Sequence, residues 1–318
     1  MKTNWYGIVK GVLGDWFPGQ GGALLSKIKK KDGADNKNVP FCLTEEFAAV
    51  YRLHPLMPPG LVIEGEGSDS DYFVKLEDCL TAKGRELMRK PGMSKKVFSS
   101  VFHYPCGALV GANYPDALRD ISPTDTRGVD IPGKDFKVDL AAIDLYRDRE
   151  RGIQNYNSFR RMLKLKPFKS WERMTGNPEN AKKLEKIYGP APEGIEKCDL
   201  LVGDLYEKKM PGFAISETSF IVFLLMASRR CDADPYLNEL FDDEHYTPFG
   251  IKHVNENVGL KDVLKRHYPE LANMFPKGQS AFKPIYKPEK WDEGIPAKLV
   301  KTWEKTKKSN DKFFNEKQ

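Results

Sequence analysis

The 318-residue sequence contains no long hydrophobic run. Its most apolar stretch, residues 220–227, is far shorter than the roughly 20 residues that a membrane-spanning helix needs. The N-terminal residues also lack the apolar core of a secretory signal peptide. We therefore expect no transmembrane segment, and we interpret residues 220–227 as part of a buried core helix.

Cysteine and histidine are both scarce, with five residues of each. The cysteines are far apart and form no C-x-x-C pair, so a structural zinc site is not expected. An odd number of scattered thiols is typical of a reducing compartment, which favours an intracellular protein.

Charge of one sign is not in large excess either. Lys and Arg number 51 against 45 Asp and Glu, which gives a formal net charge of +6. Much of the excess lies at residues 27–31 and 298–317, where polar and glycine neighbours indicate solvated loops rather than a basic helix face. We therefore predict no nucleic-acid partner. The content of 40% hydrophobic and 30% charged residues is typical of a globular protein.

Amphipathic helical patterns dominate what is present. Thr44 is a suitable N-cap for a helix whose apolar face includes Phe47 and Tyr51. This face extends to His54, which Pro55 pushes away from helical dihedral angles. We therefore expect His54 at or just past the end of this helix, with its ring able to turn toward a pocket.

The remaining patterns predict a mainly α fold with few short strands. Alternating apolar residues within 60–80 predict a hairpin. After Ser280 the content of Pro and Lys rises, which indicates a polar tail. Helical patterns recur at residues 81–89, 94–102, 139–151, 155–163, 170–174, 177–188, 194–210, 215–230, 237–241, 250–257 and 260–268.

One pair of residues suggests chemistry. Tyr51 and His54 are three apart, a spacing that places two side chains on the same face of a helix. A histidine in this position could bind an iron atom, and a tyrosine beside it could form a radical. A packed core pair with hydrogen-bonded polar tips explains the same spacing.

Several longer segments give the pair a context. The segments at 45–58, 139–152, 156–161, 212–218, 226–230 and 260–269 resemble, in this order, those of the fatty acid α-dioxygenases. These enzymes are a branch of the peroxidase–cyclooxygenase superfamily, and the resemblance covers roughly residues 4–282. It implies the helical fold of that superfamily, with residues 1–282 as the haem-proximal part of the catalytic domain and 283–318 as a polar, Lys-rich tail.

The resemblance also implies roles for particular positions. Tyr51 matches the catalytic tyrosine that becomes a radical, and His54 matches the ligand of the iron of haem b. Asn157 matches the residue that would hydrogen-bond the second ring nitrogen of His54. Arg230, or alternatively Arg229, matches the residue that holds the fatty acid carboxylate; a solvent-facing arginine at a helix end explains the same position.

The implied activity is the insertion of O2 at the α-carbon of a fatty acid, which gives a 2-hydroperoxy acid. The resemblance also implies a role in oxylipin biosynthesis and in the response to oxidative stress. Family members carry a distal histidine upstream, whereas His54 is the first histidine here, so we expect a C-terminal half. A membrane surface and a separate N-terminal half remain open as partners. The alternatives are a peroxidase of small phenols and an inactive, haem-peroxidase-like interaction protein.

Overall fold

The structure is a computed structural model. It describes residues 43–65, 72–103, 106–125, 129, 131–133, 136–210, 214–233, 240–256, 259–277 and 281, but not the side chains of residues 81 and 227–233. The predicted domain boundary at 282 and the predicted tail at 283–318 lie outside these residues.

Helices make up most of the described chain, which confirms the predicted fold class. Strands β1 (Gly60–Ile63) and β2 (Tyr72–Lys75) form the predicted hairpin. A 3-10 turn spans His54–Leu56. The helices are α1 (Glu45–Val50), α2 (Leu76–Cys79), α3 (Thr81–Arg89), α4 (Met93–His103), α5 (Asp116–Arg119), α6 (Leu140–Glu150), α7 (Tyr156–Met162), α8 (Trp171–Thr175), α9 (Pro178–Tyr188), α10 (Glu193–Glu196), α11 (Leu200–Tyr206), α12 (Glu217–Ala233), α13 (Asp243–Glu256), α14 (Leu260–His267) and α15 (Pro269–Ala272).

The main hydrophobic core surrounds α1 and joins it to later parts of the chain. Phe47 and Val50 of α1 are buried together with Tyr156 of α7 and with Val222 and Met226 of α12. Helix α1 also packs against α11. The residues just after α1 are therefore attached to a well-packed part of the molecule.

The structure corrects three helix predictions. The first helix ends at Val50, earlier than the predicted end near His54. The predicted helix at 194–210 is two helices, α10 and α11, because the chain leaves the helical path at 197–199. The pattern at 250–257 belongs to the longer α13, which is kinked at Thr247 before Pro248. The helix predicted at 237–241 lies largely outside the described residues.

Within the described ranges, no helix combines the length and the apolar character that crossing a bilayer requires.

Candidate active site

The site begins where α1 ends. Thr44 caps the helix by accepting a hydrogen bond from the backbone N–H of Phe47, as predicted, and Tyr51 is the C-terminal cap. The chain then enters the 3-10 turn at His54, with Pro55 in its first turn. Tyr51 and His54 consequently do not lie on one regular helix, which corrects the geometry expected from their spacing.

A neighbouring loop holds this turn in place. The backbone N–H of Gly107 donates to the carbonyl of Leu56 at 2.8 Å. The side-chain amide of Asn113 donates to the carbonyl of Ala108 at 2.8 Å and to that of Pro55 at 3.4 Å. Gly107 lies so close that a Cβ atom there would be 2.2 Å from the carbonyl oxygen of Pro55.

His54 is anchored through one ring nitrogen only. Its Nδ1 lies 2.7 Å from Oδ2 of Asp144, a residue of α6. A carboxylate can only accept hydrogen bonds, so this contact favours the tautomer with the proton on Nδ1. Nε2 then carries a free lone pair, and it has no hydrogen bond with any residue that the structure describes. The His54 side chain is 34% exposed, whereas that of Asp144 is 1% exposed.

Arg52 joins the same site to α6. Its guanidinium donates to Oδ1 of Asp144 at 3.0 Å and to Oδ1 of Asp148 at 2.9 and 3.1 Å. Burial raises the pKa of Asp148, and the contacts from Arg52 oppose this shift only in part. One cation therefore serves two nearly buried carboxylates, a fork geometry for which arginine is suited.

Tyr114 completes the surroundings of Asp144. Its hydroxyl donates to Oδ2 at 3.0 Å, and its ring centroid lies 5.9 Å from that of His54. Burial, and then the charge of Asp144, raise the pKa of Tyr114. Tyr114 therefore stays a hydrogen-bond donor at neutral pH, and Asp144 accepts hydrogen bonds from three side chains.

Tyr51 is placed differently from these buried groups. Its side chain is 43% exposed, and its ring stacks on that of Phe47 with centroids 4.6 Å apart. The hydroxyl has no hydrogen bond with a described residue. The ring is thus fixed from one side, while the oxygen is free to meet another molecule.

The hydrogen bonds of Asn157 run to groups other than the His54 ring, which differs from its predicted role. It is fully buried, and its amide bonds both the N–H and the carbonyl of Phe168 at 2.9 Å. It also donates to Glu196 at 3.0 Å. Asp144, and not Asn157, is the hydrogen-bond partner of the His54 ring.

Arg229 and Arg230 belong to α12, but their side chains lie outside the described ones. The backbone of Arg230 lies about one helical turn after Met226. Met226 packs in the core with Phe47 and Val50 of α1.

The sequence interpretation missed the group of three around the imidazole: Arg52, Tyr114 and Asp144. Only Arg52 had a usable signal, since it lies between Tyr51 and His54. No set of three or more His, Cys, Asp or Glu side chains within the described ranges could by itself hold a metal ion.

The sequence model of the animal haem peroxidases matches residues 9–278. The chain belongs to the animal haem peroxidase family. Within this family it is similar to the plant α-dioxygenases. It is 41% identical over 290 residues to the α-dioxygenase of Pisum sativum, a match that covers 89% of this chain and 44% of that protein. The corresponding protein of Oryza sativa is 40% identical over the same number of residues.

Solved structures of the family agree with this likeness. The crystal structure of the Arabidopsis thaliana fatty acid α-dioxygenase aligns with a TM-score of 0.72 at 37% identity, covering 94% of this chain and 47% of that one. The Oryza sativa fatty acid α-dioxygenase aligns with a TM-score of 0.68 at 40% identity, covering 78% and 41%. The chain therefore spans less than half the length of these family members.

Proposed function

We propose that this chain carries the haem-proximal side of a fatty acid α-dioxygenase, with His54 as the ligand of the iron of haem b and Tyr51 as the radical-forming residue. The observation that carries the proposal is the hydrogen bond between His54 and Asp144. It holds the imidazole at Nδ1 and leaves a lone pair on Nε2 at an accessible position.

The residues present fit a haem. Histidine bound to haem iron commonly donates its other ring N–H to a carboxylate or carbonyl group, which fixes the ring and makes it a stronger ligand. Asp144 provides this group, and it is itself held by Arg52 and Tyr114.

Each residue of the proposed site has a separate role. Asp144 keeps the proton at Nδ1 of His54. Arg52 neutralises part of the negative charge of Asp144. Asp144 therefore does not remove the Nδ1 proton and leave an imidazolate. Bound haem would supply the one-electron oxidising power that converts Tyr51 into a phenoxyl radical.

The proposed reaction on the substrate uses only the Tyr51 oxygen. The phenoxyl radical takes a hydrogen atom from the α-carbon of the fatty acid, so that the phenol reforms and a carbon radical remains. O2 adds to this carbon and forms a peroxyl radical. The peroxyl group takes the hydrogen atom back from the phenol, which gives the 2-hydroperoxy acid and regenerates the radical on Tyr51.

Arg230 is our proposed partner for the fatty acid carboxylate. It is carried by α12, which packs against α1, the helix that leads into Tyr51. A guanidinium can bind a carboxylate through two parallel hydrogen bonds. The Oryza sativa relative was also solved as a tyrosine-to-phenylalanine variant with palmitic acid, and palmitic acid is therefore a suitable first substrate.

The iron ligand is tested by titrating the chain with haem. We expect a Soret band whose intensity saturates, and its loss in a His54→Ala variant. His245→Ala is the matched control, because His245 is also partly exposed and also paired with an aspartate, Asp242, through Nδ1. An unchanged band in His54→Ala would reject the assignment, and a folded chain that binds no haem would favour an interaction protein.

The reaction is tested by oxygen uptake with palmitic acid and the haem-loaded chain. Tyr51→Phe should abolish the uptake while haem binding is kept. Tyr72→Phe is the control, since Tyr72 is equally exposed, at 43%, and lies on strand β2. Uptake that survives in Tyr51→Phe would refute the mechanism, and oxidation of guaiacol without fatty acid turnover would favour a peroxidase of small phenols.

A further inference from the structure

Apart from the site at Tyr51 and His54, the described residues form a cavity of about 650 Å³ between α7, α8 and the start of α12. We call it the cationic cavity. Its lining includes the cationic residues Lys166, Lys169, Arg173 and Lys208, and Phe168 and Met210 contribute apolar surface. None of the lining residues is hydrogen-bonded to His54 or to the groups that hold it.

The lining has a large excess of positive charge. It contains six cationic and two carboxylate side chains, a formal excess of four. Both carboxylates are already engaged by Arg160, which donates to Glu207 at 3.0 Å and to Glu217 at 2.8 Å. The ammonium of Lys209 donates to two backbone carbonyls at the end of α11.

The other four cations have no ionic partner among the residues that the structure describes. Lys166, Lys169, Arg173 and Lys208 have exposed side chains that form no hydrogen bond or ion pair with the part of the chain that the structure describes. Isolated surface lysines are ordinary, but four unpaired cations around one concavity repel each other. An anion in the cavity would remove this repulsion.

The walls of the cationic cavity are fixed. Asn157 clamps the backbone of Phe168 through both its N–H and its carbonyl. The guanidinium of Arg160 lies 4.4 Å from the centroid of the Phe168 ring. The N–H of Lys208 donates to the carbonyl of Met174 in α8 at 2.9 Å. A ligand would therefore meet a surface that needs little ordering, which lowers the cost of binding.

We propose that the cationic cavity binds a small organic anion through a phosphate group that carries two or more negative charges. The volume lies in the range of small-molecule sites, roughly 300–1,000 Å³. A fatty acid carboxylate carries one charge and would leave most of the excess uncompensated. Arg173 can bind phosphate oxygens bidentately, while the lysines act as point charges. Phe168 and Met210 would contact the organic part.

The same chemistry can come from a soluble phosphate ester or from the headgroup of a phosphoinositide. The soluble source is tested by calorimetry of the complete chain with inorganic pyrophosphate and with inositol trisphosphate. The double variant Lys169→Glu/Arg173→Glu should weaken binding by about tenfold or more, because two attractive charges become repulsive. Higher salt should weaken binding as well.

The control is Lys182→Glu/Lys183→Glu, which makes the same change in net charge on the exposed face of α9, outside the cavity. Its binding should match that of the unmodified chain. Equal losses in the two double variants would overturn the proposal, since binding would then follow overall charge only. Thermal unfolding of both variants shows that each is folded.

The membrane source is tested by co-sedimentation with phosphatidylcholine vesicles, with and without phosphatidylinositol bisphosphate. Binding that needs the phosphoinositide and is lost only in Lys169→Glu/Arg173→Glu would assign the cavity to a headgroup. Binding in neither arm would overturn the proposal. Palmitate binding with the same dependence on these two residues, and no binding of the phosphates, would overturn it too. None of these measurements depends on haem or on oxygen uptake.

Discussion

Oδ2 of Asp144 lies 2.7 Å from Nδ1 of His54, across 90 residues of sequence. The two groups come from different elements, one from the 3-10 turn after α1 and the other from α6. Their contact decides which nitrogen of the imidazole remains available, and it is the basis of the first prediction.

Replacing Asp144 by Asn should weaken haem binding by about 10–100-fold, because an amide orients the imidazole less firmly and adds no negative charge. The measurement is the dissociation constant from a Soret titration. Asp148→Asn is the control, since Asp148 contacts Arg52 but not His54. Equal weakening in the two variants would show that the effect comes from Arg52 and the surrounding fold.

Replacing Arg160 by Met should destabilise the fold by about 3–5 kcal/mol, because Glu207 then stays buried without its cation. The side chains of Arg160 and Glu207 are 3% and 1% exposed. The free energy of unfolding in urea gives the result. Arg161→Met removes an exposed pair with Glu196 and should change the stability little.

A second substitution makes this prediction sharper. Adding Glu207→Gln to the Arg160→Met chain should restore part of the lost stability, since the buried carboxylate is then uncharged. If the double variant is as unstable as the sum of both single variants, the loss in Arg160→Met has another origin, such as a packing defect.

The ion pair between Arg149 and Asp199 predicts a pH effect on stability. Burial opposes the ionisation of Asp199, but hydrogen bonds from Arg149 and Tyr188 outweigh it, so the pKa of Asp199 lies below its ordinary value. A lowered pKa contributes stability above the unfolded-state value, about 4, and this contribution is lost as the pH falls through the folded-state pKa.

The measurement is the free energy of unfolding of the unmodified chain and of Asp199→Asn between about pH 7 and pH 3. The difference between the two chains should be largest near neutral pH and shrink toward the acid end. A difference that is constant over this range would contradict the role of the Asp199 charge.

Replacing Gly107 by Ala should destabilise the chain by about 1–3 kcal/mol and weaken haem binding, because a Cβ atom would strike the backbone of the turn that carries His54. Gly250→Ala is the control, since a Cβ there makes only ordinary contacts, the nearest at 3.5 Å. Unfolding in urea and the Soret titration measure the two effects. If the Gly107→Ala chain is destabilised but keeps its haem affinity, the position of this turn does not affect haem binding.

Local signals predicted much of the fold. The cap at Thr44 and the hairpin within 60–80 were found as predicted, because each depends on neighbouring residues alone. Most helix positions agreed for the same reason. The break within 194–210 was missed, because Lys197 and Cys198 do not interrupt the helical pattern strongly enough to mark an end.

The sequence suggested candidate residues for the site but not the contacts among them. The resemblance indicated Tyr51 and His54, but their neighbours depend on how distant elements meet. Nothing in the sequence around Asp144 distinguishes it from the other acids of α6. Asn157 lies in a segment that resembles a family motif. In this chain, however, its side-chain amide holds the backbone of Phe168.

Asp144 and Asp148 lie one turn apart on α6, a spacing at which two carboxylates repel each other. Arg52 relieves this repulsion, and it belongs to the segment that carries Tyr51 and His54. Each element thus depends on the other for its geometry. A fluctuation that releases the segment should also loosen the middle of α6, and the amide protons of both should exchange with solvent as one cooperative unit.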